Sequence, residues 1–122
     1  MKATRELARE IWPKYFDSLS DELLNRAISI EIVESPSRPS VVQARGLVLQ
    51  LLTYDRRDDV FEVTAAQGSP TVPRVLRHLV DHPTRIEVDS STLSMAPTTI
   101  AVTGGDGVRT VVRIRHEGAF AG

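Results

Sequence analysis

The stretch Leu47–Val63, LVLQLLTYDRRDDVFEV, constrains this chain more than any other. Two apolar runs flank a short charged joint, Tyr54-Asp55-Arg56-Arg57-Asp58-Asp59. Apolar runs of strand length around a polar tip predict a β-hairpin with buried arms and a wet turn. The first arm reaches back to Val41 or Val42. That is too long for one flat strand, so a bend or bulge is expected near Gly46 or Gln50. In the second arm Phe61, Val63 and Ala65 share one face, and Glu62 and Thr64 share the other.

Before the hairpin, residues 2–8 are polar and read as extended. Trp12, Phe16, Leu19 and Leu23 then fall at spacings that make one face of a helix. Proline is tolerated only in the first helical turn, so Pro13 places the helix start close to Arg9 or Glu10. Ile28, Ile30 and Ile32 alternate with Ser29 and Glu31, the pattern of a half-buried strand over 28–33. The run ESPSRPS (34–40) reads as a loop.

After the hairpin, residues 66–73 read as a second loop. Thr71 is placed to cap a short second helix over 73–80, with Val75, Leu76, Leu79 and Val80 on one side and Pro83 ending it. A strand is expected over 84–88, a loop over 89–97 and a strand over 98–103. Gly104-Gly105-Asp106-Gly107 supplies the positive φ angles of a tight return into a last strand, 108–115. Residues 117–122 read as a fraying tail. The expected fold is α+β: an N-terminal helix packed on a curved antiparallel sheet or partial barrel of about six strands, with a short second helix.

A chain of 122 residues reads as one domain over 1–122. At this size roughly two-thirds of the unfolded surface can be buried, so neither metal nor disulfide is needed for stability. Formal net charge is −1. Both halves are balanced, with no charged tail to attract nucleic acid or membrane, and nucleic acid is disfavoured as a partner. Cysteine is absent, which excludes disulfides, thiolate metal sites and cysteine nucleophiles. The N-terminus lacks the apolar core of a signal peptide, and no apolar run has the length of a membrane span. A cytoplasmic location is expected.

An ordered set of residues carries a family resemblance. Thr4-Arg5-Glu6, Trp12, Phe16-Asp17, Tyr54-Asp55 with Asp58-Asp59, then His78, Pro83 and Ile86 together resemble a bacterial family of unknown function, DUF5335. The resemblance spans essentially the whole chain. It implies a small cytosolic protein and assigns no activity or catalytic residue. Family members often carry proline at the positions of Ala8 and Val48 and glycine near Leu51, so this chain departs from the pattern there.

The candidate chemistry is thin. His78 and His82 stand four apart on the expected second helix, a spacing that can hold one metal ion, but no third ligand is indicated and the HExxH glutamate is missing. Only His78 fits the family pattern. Its simpler reading is a partly buried, hydrogen-bonded histidine, with His82 favoured by the helix dipole at a C-terminus. Asp55, Asp58 and Asp59 do not match a calcium loop and read as turn-forming aspartates. The 104–107 glycines lie between strands, which argues against a phosphate cradle. No G-x-S-x-G elbow is present. No catalytic residue, metal site or cofactor is therefore expected.

The best surface signal is Arg109, Arg113 and Arg115, which alternation sets on one face of the last strand, with His116 beside them. They are the candidate partner- or anion-binding residues. The competing reading pairs them across strands with glutamates such as Glu31 or Glu62. The leading expectation is a non-catalytic binding or protein-interaction module, with homo-oligomerisation as one outcome because an exposed sheet edge has to be managed. The alternative is a small anion- or RNA-binding β-barrel domain, and a metal-dependent enzyme ranks last.

Overall fold

The long arm of the central hairpin is a single strand of 15 residues, bent at both expected places. Gly46 takes φ +67°. Pairing with the next strand slips by one residue between Leu49 and Leu51, leaving Gln50 as the extra residue of a bulge. The computed structural model describes residues 2–34, 41–69, 71–91 and 97–115. Most of the expected 34–40 loop, the centre of the 89–97 loop, His116 and the 117–122 tail lie outside them.

In chain order the elements are β1 (Lys2–Glu6), a 3-10 turn (Arg9–Ile11), α1 (Trp12–Glu22), β2 (Ala27–Val33), β3 (Val41–Asp55), β4 (Val60–Ser69), β5 (Val72–Asp81), β6 (Arg85–Ser91), β7 (Pro97–Thr103) and β8 (Arg109–Ile114). The strands form one open sheet in the order β1-β6-β7-β8-β2-β3-β4-β5. Every neighbouring pair is antiparallel. The fold is α+β with one N-terminal helix. That helix is not long and apolar enough to cross a membrane.

Two expectations need correction. The sheet has eight strands rather than six, and the short second helix does not exist. The segment expected to be helical is strand β5. Val75, Leu76, Leu79 and Val80 fit a helical period, but they also split into two strand faces: Leu76 and Val80 with His78, and Val75 and Leu79 with Arg77. β4 decides between the two patterns. It continues to Ser69, so the expected 66–73 loop shrinks to a tight return, and β5 runs back along it in unbroken register from Ser69↔Val72 to Val60↔Asp81. Ten residues of ladder outweigh a weak local preference. The eighth strand is β1, the polar extended N-terminus, which pairs with β6 from Lys2↔Ser91 to Glu6↔Glu87.

The concave face of the sheet holds the core, and α1 packs into it. Trp12, Phe16, Leu19 and Leu23 are all buried. Phe16 meets Phe61 edge-on, with ring centroids 5.1 Å apart. Burying one such side chain stabilises the fold by about 1.5–3 kcal/mol. At the helix C-terminus Asn25 takes φ +69°. That turn lets Asn25 N–H donate to the Leu49 carbonyl and Leu49 N–H to the Arg26 carbonyl, both at 2.8 Å, which sends the chain into β2 alongside β3.

The sheet curls until its β5 edge reaches the β7–β8 return. Gly105 N–H donates to the Asp81 carbonyl at 3.1 Å. In that return only Gly107 has a positive φ, +84°. Gly104 and Gly105 serve close approach instead: a Cβ at Gly105 would sit 3.2 Å from both the Cβ and the carbonyl oxygen of His82.

Candidate functional site

Three features of the curled sheet are candidates for function. The first is the seam where β5 faces β2 and β8. A groove of about 680 Å³ opens there, lined by Ile32, His78, Val80, His82, Gly105 and Thr110 among others. His78 points to the concave side and is half-buried, with Nε2 3.1 Å from Thr110 Oγ1. Thr110 is itself buried, so this contact satisfies a polar group inside the core. Burial lowers the His78 pKa below its ordinary value, because a charged imidazolium is poorly solvated there.

The second is a polar lock at one end of the sheet. Asp59 closes the β3–β4 turn with φ +54°, and His82 follows β5 with φ +48°. His82 N–H donates to the Asp59 carbonyl at 2.8 Å, tying the two turns together. Their side chains meet as well, with His82 Nδ1 3.1 Å from Asp59 Oδ2. Tyr54 Oη donates to Asp59 Oδ1 at 2.6 Å. Arg9 donates from Nη1 to Tyr54 Oη at 3.2 Å and to Asp59 Oδ1 at 3.3 Å, and from Nη2 to the Pro83 carbonyl at 2.8 Å. Its guanidinium lies 4.5 Å from the centre of the Trp12 ring, a cation–π stack. The hydrogen bond from Tyr54, then those from His82 and Arg9, hold the Asp59 carboxyl below its usual range. Tyr54 is pushed up, first by burial and then by the carboxylate beside it.

His78 and His82 thus have separate partners, and the shared helix face that would have brought them to one ion is absent. Among the described residues no three histidine, aspartate or glutamate side chains gather as a metal site would require. Asp55 is a turn aspartate, its Oδ1 accepting from the N–H groups of Arg57 at 2.9 Å and Asp58 at 3.2 Å. Asp59 is more than that, because it joins Arg9, Tyr54 and His82. Spacing in the sequence does not show the lock, and Arg9 serves there only to place the helix start. Its one sequence signal was the recurrence of Tyr54, Asp59 and Pro83 in the family pattern.

The third feature is the convex face, which divides into two unlike halves. From β1 to β2 it is laced with charge. Arg85 bridges Glu6 and Glu87 at 3.3 Å each, and Arg109 reaches Glu87 at 3.5 Å. Arg113 pairs with Glu31. Arg113 and Arg115 also line a shallow groove of about 620 Å³ with Ser29 and Gly46. Of the arginine row, Arg109 and Arg113 therefore face cross-strand carboxylates, and Arg115 is exposed at the rim of that groove.

From β3 to β5 the same face is apolar. Of the eight large exposed apolar side chains among the described residues, four lie here: Val48, Leu51, Val75 and Leu79. Cross-strand register puts Val48, Ala66 and Val75 in one row and Leu51, Thr64 and Arg77 in the next. β5 is also the last strand of the sheet. Arg77 is its central charge on this face, and it is turned inboard, donating to Glu62 from Nε at 3.0 Å and from Nη2 at 3.1 Å.

An uncharacterised protein of Aquifex aeolicus (strain VF5) is 33% identical over 113 residues, covering 93% of each chain. No solved structure matches the chain. The sequence pattern of a family of unknown function, DUF5335, matches residues 3–120, and the chain belongs to that family.

Proposed function

We propose that this protein is a non-catalytic interaction module that binds extended polypeptide by adding a strand to β5. One observation carries the reading: an open sheet edge coincides with the apolar half of an otherwise charge-laced face. An apolar edge left open is a template for another strand, and proteins that do not use such an edge normally blunt it with charge. Strand addition draws affinity from main-chain hydrogen bonds and specificity from alternate side chains, and β5 presents both. The polar lock then serves as scaffolding that fixes the ends of β3, β4 and β5. A soluble protein in the cytoplasm suits this role.

Fluorescence anisotropy tests the reading with a labelled peptide of about ten residues alternating valine and threonine. Saturable binding that is lost in Leu79→Pro is the expected result. A protein that neither binds such a peptide nor associates with itself refutes the module.

A second reading rests on Arg113 and Arg115 sharing one groove with Ser29 and Gly46. It makes that groove an anion site. Binding of a labelled polyanion that weakens steeply with salt and disappears in the double alanine variant would support it. No binding at low salt would dismiss it.

A further inference from the structure

We infer that the strand taken up by β5 is β5 of a second copy of this chain, paired antiparallel about a two-fold axis at Arg77. The inference rests on the interaction-module reading and names its partner.

The backbone phase of β5 comes first. In an antiparallel ladder alternate residues turn both N–H and C=O toward one neighbour, and the residues between turn them the other way. His82 N–H donates to the Asp59 carbonyl, and this pair continues the Val60↔Asp81 register by one step. Even-numbered residues of β5 therefore bond to β4. Odd-numbered residues face the open edge. The Asp81 carbonyl agrees, since it accepts from Gly105, off the β4 ladder. No register shift interrupts the β4–β5 pairing, so the phase holds along the whole strand. Pro73 falls in the outward set, where its missing N–H removes nothing from the β4 ladder.

This phase delimits the usable edge. Pro73 has no donor to offer. Asp81 has its carbonyl committed to Gly105. Between them stand Val75, Arg77 and Leu79, with three outward N–H and three outward C=O groups. The window is symmetric about Arg77. A two-fold axis there sets Val75 opposite Leu79 of the second copy, Arg77 opposite its equivalent, and Leu79 opposite Val75. Every outward donor in the window then meets an acceptor.

The side chains fit the same axis. Val75 and Leu79 project on the convex face, 66% and 46% exposed, and would cover each other across the join. The opposed Arg77 side chains are each held back by two bonds to Glu62 of the same subunit, which offsets their like charge at the axis. The other edge of the sheet is guarded by contrast. On β1, Thr4, Arg5 and Glu6 are all exposed and polar. A short edge-to-edge join lies toward the low end of interface sizes, so the dimer is expected to form at about micromolar concentrations rather than to be permanent.

Sedimentation velocity of the full chain from about 1 to 500 µM tests the inference, because dimerisation must follow mass action. Two variants accompany it. Leu79→Pro deletes an outward N–H and no ladder bond to β4. Val75→Lys leaves the backbone intact, alters an exposed side chain and adds charge beside the axis. The expected result is a concentration-dependent dimer whose dissociation constant rises at least about a hundredfold in each variant, with the far-ultraviolet circular dichroism unchanged. A wild-type monomer throughout the range, or a dimer indifferent to both variants, overturns the second copy as occupant. If that monomer still binds the valine–threonine peptide, the module reading survives alone. If it does not, both readings fall.

Discussion

Ser20 Oγ accepts the backbone N–H of Leu52 at 3.0 Å, deep in the core. β2 pairs with β3 only as far as Val48, so beyond it a helical serine takes up this donor. α1 is thereby keyed to one position on the central strand by a hydrogen bond as well as by its apolar stripe. Replacing Ser20 by alanine leaves a buried N–H without its acceptor and is expected to cost about 1–3 kcal/mol. Ser18→Ala, on the exposed side of the same helix, is expected to stay within about 0.5 kcal/mol. Urea unfolding of the two variants side by side checks this, and equal losses would deny the keying role.

Tyr54→Phe removes the hydrogen bond that does most to hold the Asp59 carboxyl down. Because the folded-state value of Asp59 is depressed, its contribution to stability is present at neutral pH. It is lost as pH falls through that lowered value. The phenylalanine variant is expected to lose about 1 kcal/mol at pH 7, a modest figure because the lock is partly solvent-exposed. The deficit should shrink in acid, and the Asp59 carboxyl should titrate at higher pH in a carbon-detected NMR experiment. An unmoved Asp59 titration would show that Tyr54 does not govern it.

His78 supplies a second acid-sensitive term. Burial lowers its folded-state pKa, so the fold prefers the neutral ring. Stability is complete above the unfolded value of 6.5 and drains away as pH drops below it toward the folded value. His78→Gln keeps a partner for Thr110 Oγ1 and cannot be protonated. Its stability is expected to be flatter than that of the native chain between pH 7 and about 5. Parallel curves for the two proteins would mean that His78 does not carry this pH dependence.

The sequence revealed most of the architecture and little of the site, for physical reasons visible in particular residues. Trp12, Phe16, Leu19 and Leu23 announce their helix because burial on one face imposes a period that no strand mimics. Gly46 and Gln50 mark bends because a strand of that length cannot stay flat. Residues 73–80 do not announce their strand because their apolar side chains satisfy both periods, and the deciding partner, β4, lies outside the window that periodicity can read. Arg9, Tyr54, Asp59 and His82 are spread across more than seventy positions of chain, so only the curl of the sheet brings them together. Arg113 pairs with Glu31, as the competing reading of the arginine row expects, whereas the pairing of Arg109 with Glu87 is a matter of register. Side-chain type alone does not report it.

Gly105 tests the curl itself. Its N–H donates to the Asp81 carbonyl, and its missing side chain lets the β7–β8 return lie against His82. A Cβ there would meet the His82 Cβ and carbonyl oxygen at 3.2 Å, closer than ordinary contact allows. Gly105→Val forces the return away from β5 and is expected to cost about 1–3 kcal/mol through overpacking. Its amide should exchange with solvent much faster, since the acceptor at Asp81 recedes. The released Asp81 carbonyl also lengthens the open edge of β5 by one acceptor, beyond the Val75–Leu79 window. Self-association should then strengthen or shift register, while the Arg9–Asp59 ion pair, anchored by β3 and the 3-10 turn, stays in place. Native exchange rates at residue 105 in the variant would mean that the contact does not hold the curl.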